Sequence, residues 1–262
     1  MKTRLDAELV RRELARSREH AADLIESRSV IVSGIPATKP ASQVDAETSI
    51  VLQGDRDDFV SRGGHKLAGA LDIFTGVEIA GRTCLDAGAS TGGFTDVLLR
   101  RGAKLVVAVD VGYGQLAWEL RQDARVKILD RTNIRHLTGD MVGGAIDLVV
   151  ADLSFISLTL VLPALAAVSK AEADFVLMVK PQFEVGREKL GAGGVVRDPA
   201  LRKASVIEVA ESAYDVGLGT LGISASSLPG PAGNVEYFLW LRRGAPEIEH
   251  AMLDEAIAIG PQ

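Results

Sequence analysis

Four residues of this chain stand where side chains can do chemistry together. Lys66 lies in "SRGGHKL", Asp152 directly follows "IDLVVA", Lys180 directly follows "FVLMV", and Glu236 opens "EYFLWL". Residues at the carboxyl ends of parallel strands face the crevice in which open α/β sheets bind ligands. Two ammonium groups flanking a hydroxyl stabilise the oxyanion that develops when it attacks, and two carboxylates can hold those ammonium groups in place. Lys-Asp-Lys-Glu in this chain order is therefore a candidate constellation. Lys180 would have to be neutral to take the proton itself, and an Asp beside it favours the ammonium, so steering of the hydroxyl is the preferred role. Taken singly, Lys180 also reads as a solvated edge charge and Asp152 as a helix cap.

A second group lies in "CLDAGASTGGFTDVLL", residues 84–99, which reads as a strand, a loop of small residues and a helix. Gly88, Gly92 and Gly93 permit close backbone approach, and a helix beginning near Thr91 turns its free N–H groups toward a ligand. Ser90 replaces the second glycine of the dinucleotide fingerprint, and Asp86 at the strand end would repel a pyrophosphate. No G-K-[ST] follows, so the phosphate-binding loop reading fails. The same carboxylate favours a ligand with a cation beside the loop, such as the methionine ammonium of S-adenosylmethionine. Ser90, Thr91 and Phe94 complete the candidate cofactor contacts. Asp110 ends the next apolar run, where a carboxylate can accept both ribose hydroxyls, and Asp130 ends the third, within reach of an adenine amine. Each acid alone also reads as a cap or turn residue.

The elements needed to position these groups are legible as alternation. Strands are expected at 83–87, 105–110, 126–129, 146–151 and 174–179, and helices at 64–74, 91–101, 115–121, 158–168 and 200–216. Such alternation predicts a mostly parallel sheet covered on both faces. "GTLGISAS" and "VEYFLWL" have no helix between them and add an antiparallel, hairpin-like edge, giving seven strands in a Rossmann-like fold. Two short helices precede this, with Ser17 capping the second, followed by short β-branched runs in "SVIVSGIPATKPASQV" and "TSIVL". The polar "QGDRDD", residues 53–58, reads as a linker, so the expected domains are 1–58 and 59–262.

Composition sets the outer limits. The chain has 262 residues, 47% hydrophobic, a formal net charge of −6 and one cysteine. Its apolar runs are far shorter than the roughly 18 residues of a membrane span, and the N-terminus lacks a secretory hydrophobic core. A single cysteine excludes an intramolecular disulfide and suits a reducing cytoplasm. Cys84 reads as a buried structural thiol. His20, His65, His136 and His250 show no metal-ligand spacing, so no metal is expected; His65, beside Lys66, is the one to watch. The tail after residue 244 carries acids and no Lys or Arg, whereas Arg11, Arg12, Arg16 and Arg18 cluster at the front.

"SRGGHKL", "LDAGASTGGFTDVLL", "VDVGYGQL", "ADLSFISL", "VKPQFEVG", "GGVVRDP" and "GPAGNVEYFLWL" together resemble the TlyA family over almost the whole chain. The second domain resembles the FtsJ-type ribose 2'-O-methyltransferases, whose K-D-K-E tetrad falls on Lys66, Asp152, Lys180 and Glu236. The first resembles the S4-like RNA-binding module. The resemblance implies S-adenosylmethionine-dependent 2'-O-methylation of cytidines in rRNA of ribosomal subunits, in 16S and 23S or in 23S alone, with an effect on capreomycin susceptibility. It also implies a class I methyltransferase sheet and a small α+β RNA-binding domain. Arg4, Arg11, Arg12, Arg16, Arg18 and Lys39 are then expected to address RNA phosphates. Alternatively, the arginines pair with Glu8, Glu13 and Glu19 on exposed helix faces. Phe155 and Phe183 could stack on a base turned into the site or merely pack a loop. Where S4-like modules usually show a glycine and Val-Asn-Gly, this chain has Arg28-Ser29 and Ser33. Two other readings are a non-catalytic ribosome-assembly factor and a membrane-active hemolysin, the label this family often carries; the latter finds no spanning segment or large cationic amphipathic helix here.

Overall fold

Apolar runs flanked by small residues from Thr83 onward build one large sheet, and the shorter runs before residue 53 build a separate small unit. The computed structural model describes residues 2–12, 14–45, 47–52, 59–186, 188, 190–230 and 232–260. Its chain falls into two compact units, Met1–Asp58 and Phe59–Gln262. The segment 53–58 read as a linker lies outside the described residues.

In the first unit, β1 (Thr3–Arg4) leads into α1 (Leu5–Arg11) and α2 (Arg18–Glu26), followed by β2 (Val30–Val32), β3 (Ile35–Pro36), β4 (Gln43–Val44) and β5 (Ile50–Leu52). Strand β2 pairs antiparallel with both β3 and β5, and β1 with β4. The helices bury Leu5, Leu9, Ala21 and Ile25 with Val30, Val44 and Ile50. Ser17 caps α2 by accepting the His20 amide at 3.1 Å, as its position before an apolar-periodic run predicts. Arg28 and Ser33, the positions that depart from the related modules, both adopt left-handed conformations, at φ 60° and 50°. Arg28 closes α2, its amide reaching Ile25 O and the Ser29 amide reaching Leu24 O, the bonding of a helix end usually given to glycine. Ser33 and Gly34, both at positive φ, form the two-residue β2–β3 turn. The turn geometry is therefore kept without asparagine.

In the second unit, α3 (Arg62–Ile73) precedes β6 (Thr83–Ala87), α4 (Gly93–Arg100), β7 (Leu105–Val109), α5 (Trp118–Gln122) and β8 (Val126–Leu129). Then come α6 (Gly139–Val142), β9 (Ile146–Ala151), α7 (Leu162–Ala167), β10 (Ser169–Val179) and α8 (Pro181–Glu184). The last elements are α9 (Pro199–Asp215), β11 (Leu218–Ala225), β12 (Tyr237–Arg243) and α10 (His250–Ile259). The described strands form a seven-stranded sheet in the order β11-β12-β10-β9-β6-β7-β8. Pairing is parallel from β10 to β8, while β12 is antiparallel to both β10 and β11. Both faces are covered: Leu85, Val107, Val149 and Leu177 enter one core, and Cys84, Val106, Val150 and Met178 the other. That two-sided burial produces the near-continuous apolar runs seen in the sequence.

Two expectations need correction here, and one element was not expected. The helix expected over 158–168 is a 3-10 turn at Leu158–Leu160 followed by α7, because Pro163 lacks an N–H and its ring excludes a preceding helical turn. Strand β10 starts at Ser169 rather than 174, its polar first residues concealing it, and its pairing with β9 shifts between Ser169 and Asp174. Helix α10, unpredicted, buries Leu253 and Ala256.

Candidate active site

Parallel strands β6, β7, β9 and β10 end at one edge of the sheet, and the reversed β12 begins there. Tyr237, its first residue, pairs with Val179, the last of β10, so Glu236 and Lys180 each lie one residue beyond a paired position. Lys66 reaches the same carboxylate from α3, with Nζ 2.5 Å from Glu236 Oε2. Only 8% of the Lys66 side chain and 1% of Glu236 are exposed. Gly230 makes room for the acid, since a Cβ there would come within 2.6 Å of Glu236 Oε1. Lys180 forms the second pair, 2.5 Å from Asp152 Oδ1, and also donates to Ser154 Oγ at 3.0 Å. A Cβ on Gly63, in the first turn of α3, would lie 3.6 Å from Asp152 Oδ2, so the helix carrying Lys66 borders the second pair. The structure thus brings all four residues to one edge as two ion pairs. This arrangement holds one ammonium group with a carboxylate on each side of the β10–β12 boundary.

Beside them runs the loop between β6 and α4. Gly88 and Gly92 have φ of 85° and 101°, and the space of each missing Cβ is taken by the chain itself: the Asp152 carbonyl at Gly88, and Leu120 and Leu116 at Gly92. Gly93 is likewise closed in by Ser61 and the Gly64 amide. These glycines let β6, α3, α4 and α5 approach one another around the loop. Helix α4 begins at Gly93, two residues later than expected, because Gly92 occupies the left-handed N-cap position. Ser90, at φ 47°, is exposed and donates its amide to Asp110 Oδ2 at 2.8 Å, while Thr91 is half-buried and Phe94 buried. Asp110 Oδ1 accepts the Gly112 amide at 2.7 Å. Asp130 accepts the Gly114 amide at 3.1 Å and lies 3.4 Å from Arg121.

Asp86 is fully buried. Thr95 Oγ1 donates to its Oδ2 at 2.6 Å, and among the described residues its Oδ1 has no hydrogen-bond partner. Burial pushes its carboxyl up to about 7, opposed by the Thr95 bonds. An enclosed carboxylate with a spare oxygen, and Asp110 and Asp130 at the neighbouring strand ends, match a ligand with a cationic end and a nucleoside end. Cys84 is buried within β6, and desolvation raises its thiol to about 12. His65 is exposed and makes an edge contact with Phe59. Among the described residues, no three His, Cys, Asp or Glu side chains are grouped to hold a metal ion.

In the first unit, the arginines pair with buried acids. Arg4 and Arg18 both contact Asp6, and Arg11 and Arg12 both contact Glu8, at 2.6–2.9 Å. The alternative pairing is therefore realised through Glu8, with Asp6 in place of Glu19; Glu13 lies outside the described residues. The Arg4 and Arg18 guanidinium groups lower the Asp6 carboxyl strongly, and those of Arg11 and Arg12 lower Glu8 to about 2. Arg16 and Lys39 are exposed.

Residues 59–243 match the FtsJ-like methyltransferase family, and residues 3–50 match the S4 domain. The 16S/23S rRNA (cytidine-2'-O)-methyltransferase TlyA of Mycobacterium tuberculosis is 60% identical over 92% of this chain and 90% of its own. The chain belongs to the TlyA family of FtsJ-like methyltransferases. A second TlyA relative, the 23S rRNA (cytidine-2'-O)-methyltransferase of Campylobacter jejuni, is 31% identical over 86% of this chain and 93% of its own. A solved structure from Streptococcus thermophilus, named for hemolysin, is 38% identical, covers 98% of this chain and 94% of its own, and superposes with a TM-score of 0.78. Among the described residues of this TlyA-family methyltransferase, no helix is long and apolar enough to cross a membrane.

Sequence reasoning missed two polar contacts to the site: Thr95 on Asp86 and Ser154 on Lys180. Thr95 alone had a local signal, lying nine residues after Asp86 across a strand–helix turn.

Proposed function

We propose that this methyltransferase uses S-adenosylmethionine to methylate cytidine 2'-hydroxyls of rRNA within ribosomal subunits in the cytoplasm, in both 16S and 23S rRNA, and so influences capreomycin susceptibility. The observation carrying this reading is the pair of lysine–carboxylate ion pairs at one sheet edge, Lys66–Glu236 and Lys180–Asp152. The relative at 60% identity supports the choice of rRNA and of both subunits.

S-adenosylmethionine, when bound, supplies a methyl group on a sulfonium. Asp110 and Asp130 would hold its nucleoside end, and Asp86, with the loop from Gly88 through Phe94, its methionine end. The chain must align a ribose hydroxyl in line with that methyl, so that the new O–C bond forms as the S–C bond breaks and the hydroxyl proton leaves to water, to which the Asp152 side of the site is partly open. Lys180, already shared between Asp152 and Ser154, has its direction set by them and turns the hydroxyl's lone pair toward the methyl. Lys66, fixed by Glu236, adds a second positive charge against the growing oxyanion. Phe155, 92% exposed and with its ring 5.2 Å from that of Phe183, offers an aromatic face to a base turned out of its stack. In the first unit, Arg4, Arg11, Arg12, Arg16, Arg18 and Lys39 address phosphates of folded RNA.

The test is incubation of purified protein and labelled S-adenosylmethionine with unmodified ribosomal subunits, followed by mapping of reverse-transcription stops at low nucleotide concentration. Label in both subunits with stops at single cytidines is the expected result. Label in one subunit overturns the dual assignment, and label in neither overturns the substrate.

A further inference from the structure

The segments that follow β9 and β10 are stapled to each other along their length. Nearest the sheet, Lys180 contacts Asp152 and Ser154. Next, the rings of Phe155 and Phe183 meet. At the far end, both carboxylate oxygens of Glu184 accept hydrogen bonds from the first segment, Oε2 from Ser157 Oγ at 2.5 Å and Oε1 from the Leu158 amide at 3.0 Å. Glu184 ends the short helix α8, for which Lys180 is the extended N-cap residue, so both side chains that hold the first segment come from the ends of one helical turn.

Between these contacts sits a strained residue. Phe155 has φ of 65°, a left-handed conformation costly for a bulky side chain, yet its side chain is almost wholly exposed and so has little packing to fix it. Such strain persists only where the surroundings over-determine it. Here the fixing comes from both sides: Lys180 holds 152 and 154, and Glu184 holds 157 and 158. Glu184 has given up solvent to do this, and burial, with Glu208 nearby, raises its carboxyl above the usual range.

We propose that Glu184 is a positioning residue for methyl transfer, its carboxylate clamping the strained 152–157 segment so that the Asp152–Lys180 pair and Phe155 meet the ribose and base in one fixed arrangement. This rests on the ribose-methylation reading above. Glutamine at 184 can keep the clamp, accepting the Leu158 amide while its own amide donates to a rotated Ser157 hydroxyl; alanine cannot.

Single-turnover methyl transfer to unmodified subunits should therefore slow on the order of 100-fold in Glu184→Ala and stay within about tenfold of wild type in Glu184→Gln, since misplacement of about 1 Å costs that much. Affinity for S-adenosylmethionine and for the subunits should be unchanged in both. A wild-type rate in Glu184→Ala, an equal loss in both variants, or a parallel loss of cofactor affinity overturns the proposal. Should the wild-type protein modify no subunit, the substrate reading fails, and the clamp is still read by deuterium exchange. Faster exchange of amides 155–158 in Glu184→Ala, restored in Glu184→Gln, supports it; unchanged exchange overturns it.

Discussion

Both units hold basic side chains with carboxylates, and they do so in opposite senses. In the first, the acids are buried and the bases reach outward: Asp6 and Glu8 are enclosed, while Arg11 and Arg18 keep 61% of their side chains exposed. In the second, the bases are withdrawn as well, with Lys66 8% and Lys180 11% exposed. A guanidinium held by an acid still presents N–H donors in a fixed plane, which suits an array of phosphates. An ammonium is a compact charge, and in a secluded site its interaction with one oxygen is stronger than in water. On the function proposed above, the same pairing serves recognition where the base is exposed and reaction where it is enclosed.

The largest expected effect lies on the enclosed side. Lys180→Ala should lower the methyl-transfer rate by roughly two to three orders of magnitude, as for other lost donors to a developing oxyanion, while leaving S-adenosylmethionine binding intact by calorimetry. Next come the acids. Glu236→Gln leaves the buried Lys66 without its counter-charge and should cost about 3 kcal/mol of stability in urea unfolding. Asp152→Asn should cost distinctly less, because a quarter of Asp152 is open to water; equal costs would remove the distinction between the two pairs.

Asp86 gives a pH signature. Burial raises its folded carboxyl to about 7 from 3.8, so it binds its proton more tightly folded than unfolded. Its contribution to stability is full below the unfolded value and is lost as pH rises through about 7. Asp86→Asn should flatten the stability curve between those values, measured by urea unfolding at several pH values; an unchanged curve would mean that Asp86 titrates normally.

The smallest effects belong to the exposed side. Arg11→Ala should reduce the slope of log affinity against log salt for rRNA by about one. Glu8→Gln separates orientation from charge. If the acid serves to aim Arg11 and Arg12, affinity falls by a few-fold; if only net charge matters, losing an acid raises it.

The central sheet was legible because its strands are buried on both faces. The runs 83–87 and 146–151 have the bounds of β6 and β9, and the half-buried edge run 126–129 has those of β8. The charged residues ending these runs were legible for the same reason, as sudden polar groups after apolar stretches. The start of β10 was hidden because Ser169, Lys170 and Glu172 stand at a sheet end in water. Helix α10 carried its signal, Leu253 and Ala256 at helical spacing, within an otherwise acidic tail. The pairing of Lys66 with Glu236 joins positions 170 residues apart, which topology creates and no local pattern contains. The hydrogen bond from Thr95 to Asp86 requires α4 to pack beside β6, and the Glu184 bonds require two loops to meet. Both are tertiary facts.

The central claim, that the enclosed lysine pairs serve a ribose hydroxyl, is tested most directly by the chemical identity of the product. Ribosomal subunits treated with wild-type protein and S-adenosylmethionine are digested to nucleosides and analysed by mass spectrometry, beside subunits treated with Lys180→Ala. The account predicts 2'-O-methylcytidine from the wild type and almost none from the variant at equal cofactor occupancy. A methyl group on the base, or undiminished 2'-O-methylcytidine from Lys180→Ala, would contradict it.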